Sequence, residues 1–504
     1  MSQPPSRTAV AHLADQRARR SKNQPLKRKP RNHRKEARRV AEGDLAEFLT
    51  TWEPLHDIAA VFSQWQPGDR GRPPDLPAVA YLIFGVMYLE CGSERRVETA
   101  LNYQPTWEAV RGALAAQYPG YRGLQPDAQP ISRREFWRFR ERHGITTGMI
   151  ADLRDAFREH MAVVATGLGM FNPKTGSTTR PALENTFVGD GTVLRPHWKG
   201  TGSDRQINRA TGELEPVKFD PDADTFKTGD GEWVKGLKFG FVEAWLPHEN
   251  ERIILDVFHV ANKPGRDEAA EAVHSIEALH KHLPHAQATC WDMALHGTHF
   301  DTLRRAGLID IVKVPKTAAR KGEKIPPPKH TNGTRRAGHL FQLRDDTTIE
   351  RNLYTFDGHP HIEVLAEGKR AHLPLTRTRL RHSGHRTGGF RLYGDYQIPD
   401  DARVPEPLRG ATVAVRLDRT QDDGKYNRAE HLRPVTVHDR DEWDRLYALR
   451  PGAESINRWF KQRLNDHRAP AVGHGRIHFM LICGALLNNA KAVLAQQHRL
   501  KQAA

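Results

Sequence analysis

The sequence predicts a mixed α/β core that is preceded by an all-helical region and interrupted by a β-rich insertion. Three observations carry this reading. Helical periodicities run through residues 66–165. From about residue 184 they give way to three strand-like runs and then to alternating helix and strand, the pattern of a mixed α/β sheet. Between about 348 and 440, short β-like runs such as TIERNLYTF, HIEVLA, GFRLYGDYQI and ATVAVRL are separated by Gly, Pro and Asp.

A chain of 504 residues is long enough for two to four domains and a sizeable core. Its three cysteines, Cys91, Cys290 and Cys483, are far apart and odd in number, which points to a reducing compartment without a disulfide framework or zinc knuckle. No apolar run approaches the roughly 20 residues needed to span a bilayer. The first residues, MSQPPSRTAV, lack a signal-peptide apolar region. A soluble cytoplasmic protein with no membrane partner is therefore expected.

Net charge is +16, of which residues 1–40 supply +11, with 13 basic residues against Asp15 and Glu36. The stretch RARRSKNQPLKRKPRNHRKEARR is too polar and self-repelling to fold alone, so residues 1–65 read as a basic, largely disordered tail. Such arms lie along phosphate backbones with salt-dependent affinity. A merely solvating tail is the other reading.

RGRPPDLP (70–77) reads as a turn and helix start, followed by an apolar helix through Val79, Leu82, Ile83, Val86, Met87 and Leu89. Further helices are expected over about 94–103 and 105–115. In ISRREFWRFRERHG (131–144), Ser132 and Glu135 form a capping box, Phe136 and Phe139 face inward, and Gly144 stops the helix. Arg133, Arg134 and Arg138, with Arg140 and Arg142, make this helix strongly basic, as in a helix-turn-helix DNA reader. A scaffold helix with an Arg-rich solvent face fits these residues equally well.

In the core's first part (180–315), NTFVGDGTVLRP (185–196) is a strand carrying Asp190, and 197–234 is a Gly-, Thr- and Asp-rich loop. LKFGFVEAWL and RIILDVFHV form a hairpin around PHENE. A helix over 266–283 buries Val273, Ile276, Leu279 and Leu283. QATCWDM (287–293) is a strand ending in Asp292, followed by a helix (HFDTLRRAGL) and a strand over 309–315. The insertion occupies 316–445, its first 30 residues basic and without periodicity. The second part of the core (446–500) ends in an apolar helix over 476–497, broken by Gly484, Asn488 and Asn489, which should pack on the sheet.

The segment YALRPGAESINRWFK (447–461) stands out. At about 100° per residue, Arg450, Glu454, Asn457, Arg458 and Lys461 share one helix wall, and Leu449, Ala453, Ile456 and Phe460 form the opposite apolar stripe. Alone, the wall reads as a solvated face with a Glu–Arg pair. Pro451 belongs in the first turn, which makes Arg450 the cap and leaves Tyr447 in the preceding turn.

Asp190, Asp292 and Glu454 are three carboxylates on separate elements. Each strand Asp alone also reads as a cap or turn residue. Brought together they repel, so a cluster needs cations. Hard oxygen donors select Mg²⁺ or Mn²⁺, and two such ions suit an in-line phosphoryl displacement. His296 and His299, or His359 and His361, could suggest zinc, but no cysteine accompanies them.

These residues resemble the DDE transposases of bacterial insertion sequences, in the subgroup with a Y-x2-R-x3-E-x6-K signature, met here by Tyr447, Arg450, Glu454 and Lys461. GDGT around Asp190 and CWDMALHGTHFDTLRRAGLIDIVKVP around Asp292 are similar to the family's two Asp strands. The intervals of 102 and 162 residues suit members with a β-rich insertion before the Glu helix. GRPPDLPAV and SRREFWRFRERHG resemble the group's helical DNA-binding region.

The resemblance implies an RNase H-like core in which Asp190, Asp292 and Glu454 are catalytic and hold Mg²⁺ or Mn²⁺, two ions in all. It implies that Tyr447, Arg450 and Lys461 bind DNA phosphates. The implied reaction is hydrolysis at a transposon end, followed by attack of the freed 3′-hydroxyl on the opposite strand or on target DNA. The implied partners are terminal inverted repeats, target DNA and a second copy in a synaptic homodimer at the nucleoid. Relatives trap a flipped base on an aromatic from the insertion, for which Tyr426 and Trp443 are the candidates. A nuclease that cuts without joining and a silent DNA-binding derivative remain open.

Overall fold

Apolar residues at helical spacing shape the first third of the chain. In the computed structural model, helices α1 (42–51), α2 (Glu53–Gln64), α3 (Ala78–Cys91), α4 (Glu94–Leu101), α5 (Gln104–Gln117), α6 (Arg133–Arg142) and α7 (Thr147–Gly167) follow one another. The structure describes residues 42–503 except 66–73, 143–144, 146, 199, 201–202, 209–211, 228–230, 247–250, 262, 264, 293, 314–334, 345–346, 357, 387, 420–427 and 465–467. The basic arm over 1–41, the start of the 70–77 turn, Gly144, most of the PHENE turn, residues 316–334 and Tyr426 lie outside the described residues.

Residues 42–65 do not belong to the tail expected over 1–65, because α1 and α2 bury Leu45, Leu49, Leu55, Ile58 and Phe62 against the bundle, and that apolar stripe outweighs the basic bias upstream. α3 is apolar on nearly every face and accordingly buried all round. The capping box of α6 forms as expected: the Ser132 amide donates to Glu135 Oε2 at 2.8 Å, and the Glu135 amide to Ser132 Oγ at 3.2 Å. The 21-residue α7, which the sequence reading passed over, buries Met149, Leu153, Phe157 and Met161.

The core is a mixed α/β sheet. Strand β1 (Thr186–Leu194) is central, with β5 (Trp233–Leu246) antiparallel on one side and β7 (Ala288–Cys290) parallel on the other. β6 (Glu251–Val260) pairs antiparallel with β5, and β8 (Ile309–Ile311) pairs parallel with β7. The region over 197–234 is not a plain loop. It contains a β2 (Arg205–Ile207) and β3 (Leu214–Pro216) hairpin, and β4 (Asp224–Lys227) extends the main sheet by pairing with the start of β5. α8 (Glu268–His282) and α9 (Gly297–Arg305) alternate with β7 and β8, as the pattern predicted.

The last helix, α12 (His474–Ala503), packs on β6, α3 and α7. By length and composition it could cross a membrane, yet 78% of its most apolar window is buried inside the protein. Its two asparagines serve the sheet edge. Asn489 Oδ1 accepts from the Ile254 amide at 2.9 Å and its Nδ2 donates to the Ile254 carbonyl at 2.8 Å, while Asn488 Nδ2 donates to the Arg252 carbonyl at 2.9 Å. They satisfy outward-facing backbone groups of β6 that pairing with β5 leaves open.

The insertion forms a four-stranded sheet, β9 (Arg335–Arg344), β10 (Thr347–Phe356), β11 (His359–Ala366) and β12 (Lys369–Pro374), and a three-stranded one, β13 (Thr376–Gly384), β14 (Phe390–Gln397) and β15 (Thr412–Arg416). Its apolar residues share a second core with Val188, Cys290 and Ile311 of the main sheet. The buried Arg304 fastens the two together. Its Nε lies 2.6 Å from Asp310 Oδ1, and its Nη1 and Nη2 donate to the carbonyls of Leu417 and Leu432.

Candidate active site

The site begins with the two glycines that flank Asp190 on β1. A Cβ on Gly189 would fall inside the Trp291 ring, and one on Gly191 would stand 2.6 Å from Glu268 Cδ. Only glycine lets both neighbours approach the strand this closely. Asp292 follows Trp291, two residues past the end of β7. Because β1 and β7 are adjacent and parallel, their Asp residues meet at the same region of the sheet. Asp292 Oδ1 accepts from the Ala294 amide at 2.8 Å, which fixes its turn. Asp292 therefore lies just beyond the strand rather than at its last position.

Glu268 comes from the first turn of α8, whose N-cap, Asp267, accepts from the Ala270 amide at 2.9 Å. One oxygen from each of Asp190, Glu268 and Asp292 lies within 4.8 Å of the others, so this group can hold a metal ion. Lys238 Nζ lies 2.5 Å from Glu268 Oε2. Burial pushes the Asp190 carboxyl up to about 6, against the pull of Arg450 and with help from Asp292 and Glu268.

The wall opposite is α11 (Arg450–Arg463), preceded by α10 (Arg440–Tyr447). The predicted wheel is observed: Ala453, Ile456 and Phe460 are buried, and Glu454, Asn457, Arg458 and Lys461 line a cleft of about 380 Å³ with Asp190, Gly191, Thr192 and Gln462. The cap is displaced by one residue, because Leu449 takes that position and Arg450 is already helical, with Pro451 still inside the first turn. Asn457 Nδ2 donates to Asp190 Oδ2 at 2.8 Å. Arg450 reaches both ways, with Nη2 3.5 Å from Asp190 Oδ1 and Nη1 3.0 Å from Glu454 Oε1.

Asp190 and Asp292 are thus brought together as the sequence predicted. Glu454 stands beside them on the cleft rim, 60% exposed and paired with Arg450, outside the converging group. Burial lowers the Lys461 ammonium, while Asp190 draws it back up. Tyr447 stacks on Trp443 with centroids 4.7 Å apart and carries Lys313 Nζ 4.7 Å above its ring. Burial, chiefly, and then Cys290 raise its hydroxyl. Trp443 is only 7% exposed, held by this stack and the second core, so it presents no face to a flipped base.

Sequence reasoning missed Glu268 and Lys238. A glutamate in the first turn of a helix is ordinary dipole chemistry, and that role concealed a second one. The histidine pairs that the sequence set aside as zinc ligands have other partners. His296 and His299 form the cap of α9. His359 uses both ring nitrogens, toward Thr436 Oγ1 at 3.1 Å and the Leu375 carbonyl at 2.5 Å, and His361 Nδ1 turns to the His359 carbonyl. Among the described residues, the three carboxylates are the one convergent group of three or more His, Cys, Asp or Glu ligands.

On α6, Arg133, Arg134 and Arg138 are exposed, as is Trp137 between them at 53%. Arg140 is buried against Glu94 at 2.8 Å and so does not belong to that surface. No family model matches the chain, and no curated protein matches it.

Proposed function

We propose that this protein is a DDE-type DNA transposase, cutting the ends of an insertion sequence and transferring the freed strand into target DNA. The observation that carries the reading is the meeting of Asp190 and Asp292 beneath the helix wall that presents Arg450, Glu454, Asn457 and Lys461. The strand path β6-β5-β1-β7-β8, with β5 antiparallel to β1, supports reading the core as RNase H-like. The exposed arginines of α6 support a helical DNA-binding region, and two DNA ends imply a synaptic homodimer.

The donor set fits a hard divalent cation, Mg²⁺ or Mn²⁺, because every converging atom is a carboxylate oxygen. Bound there, two such ions would supply Lewis-acid activation of water and neutralise charge on the leaving oxygen. The chain's own residues do the rest. Asn457 fixes one oxygen of Asp190 and leaves the other facing Arg450. Arg450, whose side chain is only 13% exposed, and the partly buried Lys461 hold the phosphates flanking the cut, where partial desolvation strengthens charge-assisted hydrogen bonds. Tyr447, fixed by its stack on Trp443, extends that grip.

The test is excision from a donor plasmid carrying the gene's flanking DNA, in Mg²⁺, with wild type, Asp190→Ala and Glu454→Ala. Wild type should yield cut ends and insertions, and both variants should bind ends without excising. Undiminished excision by either variant would overturn the assignment of that carboxylate. Wild-type nicking that never yields insertions would favour a nuclease.

A further inference from the structure

We propose that Glu268 is the third ligand of a resident divalent cation, completing with Asp190 and Asp292 a site that loads without DNA, while Glu454 lies outside that first set. The proposal rests on the metal-dependent reading above and deepens it. Its first ground is convergence: Glu268, not Glu454, brings an oxygen within 4.8 Å of both aspartates.

The second ground is independent of the acidic cluster. Asn457 is only 7% exposed, its amide lies against Asp190 at the cleft wall, and its Oδ1 has no hydrogen-bond partner among the described residues. A buried carbonyl oxygen without a donor is costly, and an ordered water, such as one from the shell of a cation held beside Asp190, would satisfy it. The third ground is the strand itself. Gly191 gives up its side-chain volume to the Glu268 carboxylate, and Lys238 holds that carboxylate at 2.5 Å, so Glu268 is positioned before any ligand arrives.

Glu454 is ion-paired too, with Arg450, which also touches Asp190, but it is 60% exposed and lies outside the converging group. DNA phosphate competes with both carboxylates for that guanidinium. Glu454 is therefore free to turn toward the cations only once a phosphate has taken Arg450.

The experiment is titration of the full-length protein with Mn²⁺ alone, by calorimetry and by Mn²⁺ electron paramagnetic resonance, without DNA. Wild type should bind. Asp190→Asn and Glu268→Gln should weaken binding tenfold or more, and Glu454→Gln should stay within twofold of wild type. Gly191→Ala, which displaces the Glu268 carboxylate while retaining it, should weaken binding as well and guards against misfolding of the Gln variant. Wild-type Mn²⁺ affinity in Glu268→Gln overturns the proposal, as does equal weakening by Glu454→Gln or no Mn²⁺ uptake by wild type. Mn²⁺ binding through Glu268 without any DNA cleavage upholds this site and overturns the transposase reading. Cleavage by a Glu268→Gln protein with unaltered Mn²⁺ binding does the reverse.

Discussion

The carboxylate of Glu268 fills the space that a side chain at Gly191 would need, with Oε2 2.8 Å from where that Cβ would be. What must yield is the far end of a flexible side chain, not backbone. Gly191→Ala should therefore fold, with stability changed by no more than about 1 kcal/mol, since the gain from a less flexible unfolded chain offsets local crowding. Mn²⁺ affinity should nevertheless fall about tenfold, because one ligand has been turned away. Thermal melts and Mn²⁺ titrations run in parallel check both halves, and a melt depressed far beyond that range would show that the space serves packing instead.

Glu243 provides the pH dependence. It is fully buried on β5, its Oε2 has no hydrogen-bond partner among the described residues, and burial pushes its carboxyl up to about 8 against the pull of Arg252. A carboxyl raised in the folded state favours the protonated form. Its contribution is fully present below the ordinary carboxylate range and is lost as pH rises from about 4.5 toward 8. At 1.36 kcal/mol per unit, the loss is at most of the order of 5 kcal/mol. Glu243→Gln should abolish that part of the decline, so urea melts at pH 6 and pH 9 should differ less in the variant than in wild type. Equal slopes would show that Glu243 does not titrate in this window.

Much of this molecule could be read from the sequence because its signals are local. Asp190 sits in an apolar strand, Asp292 follows another, and the wheel from Glu454 to Lys461 needs only 3.6-residue periodicity. Glu268 could not be read, because its role depends on Gly191 being empty and on α8 docking across β1, and both are tertiary facts. The short strand β4 escaped for a similar reason, since DTFK carries little apolar pattern and owes its conformation to the overlong β5 beside it. Trp443 is a base-trap candidate by resemblance alone, as an aromatic of the insertion. Its stack on Tyr447 could not be inferred from spacing.

Asp256 is the electrostatic tie between the helical region and the sheet. Wholly buried on β6, it accepts from Arg154 Nε at 2.7 Å and Nη2 at 2.6 Å, from Arg158 Nη1 at 3.2 Å and from Ser275 Oγ at 2.5 Å. Despite burial, the two arginines of α7 hold its carboxyl below the ordinary range. Removing one partner of such a group leaves uncompensated buried charge, which typically costs about 3–5 kcal/mol. Asp256→Ala should lower stability by about that much, and Ser275→Ala by only about 1 kcal/mol. Chemical denaturation checks the ratio, and near-equal losses would mean that the arginines are satisfied elsewhere.

Trp137 and the arginines around it make separable predictions for DNA binding. α6 exposes Arg133, Arg134 and Arg138, with Trp137 between them at 53% exposure, while Phe136 and Phe139 on the other side anchor the helix in the bundle. An arginine on a phosphate releases a counterion, so each of Arg134→Ala and Arg138→Ala should reduce the slope of log affinity against log salt by about 1. A tryptophan releases none. Trp137→Ala should weaken end binding by about 1–2 kcal/mol through lost stacking and apolar contact, leaving the salt slope unchanged. Fluorescence anisotropy with labelled end DNA across a salt series separates the two effects. If the arginine variants shift neither affinity nor slope, this face is a scaffold surface, and the DNA-binding reading of α6 fails.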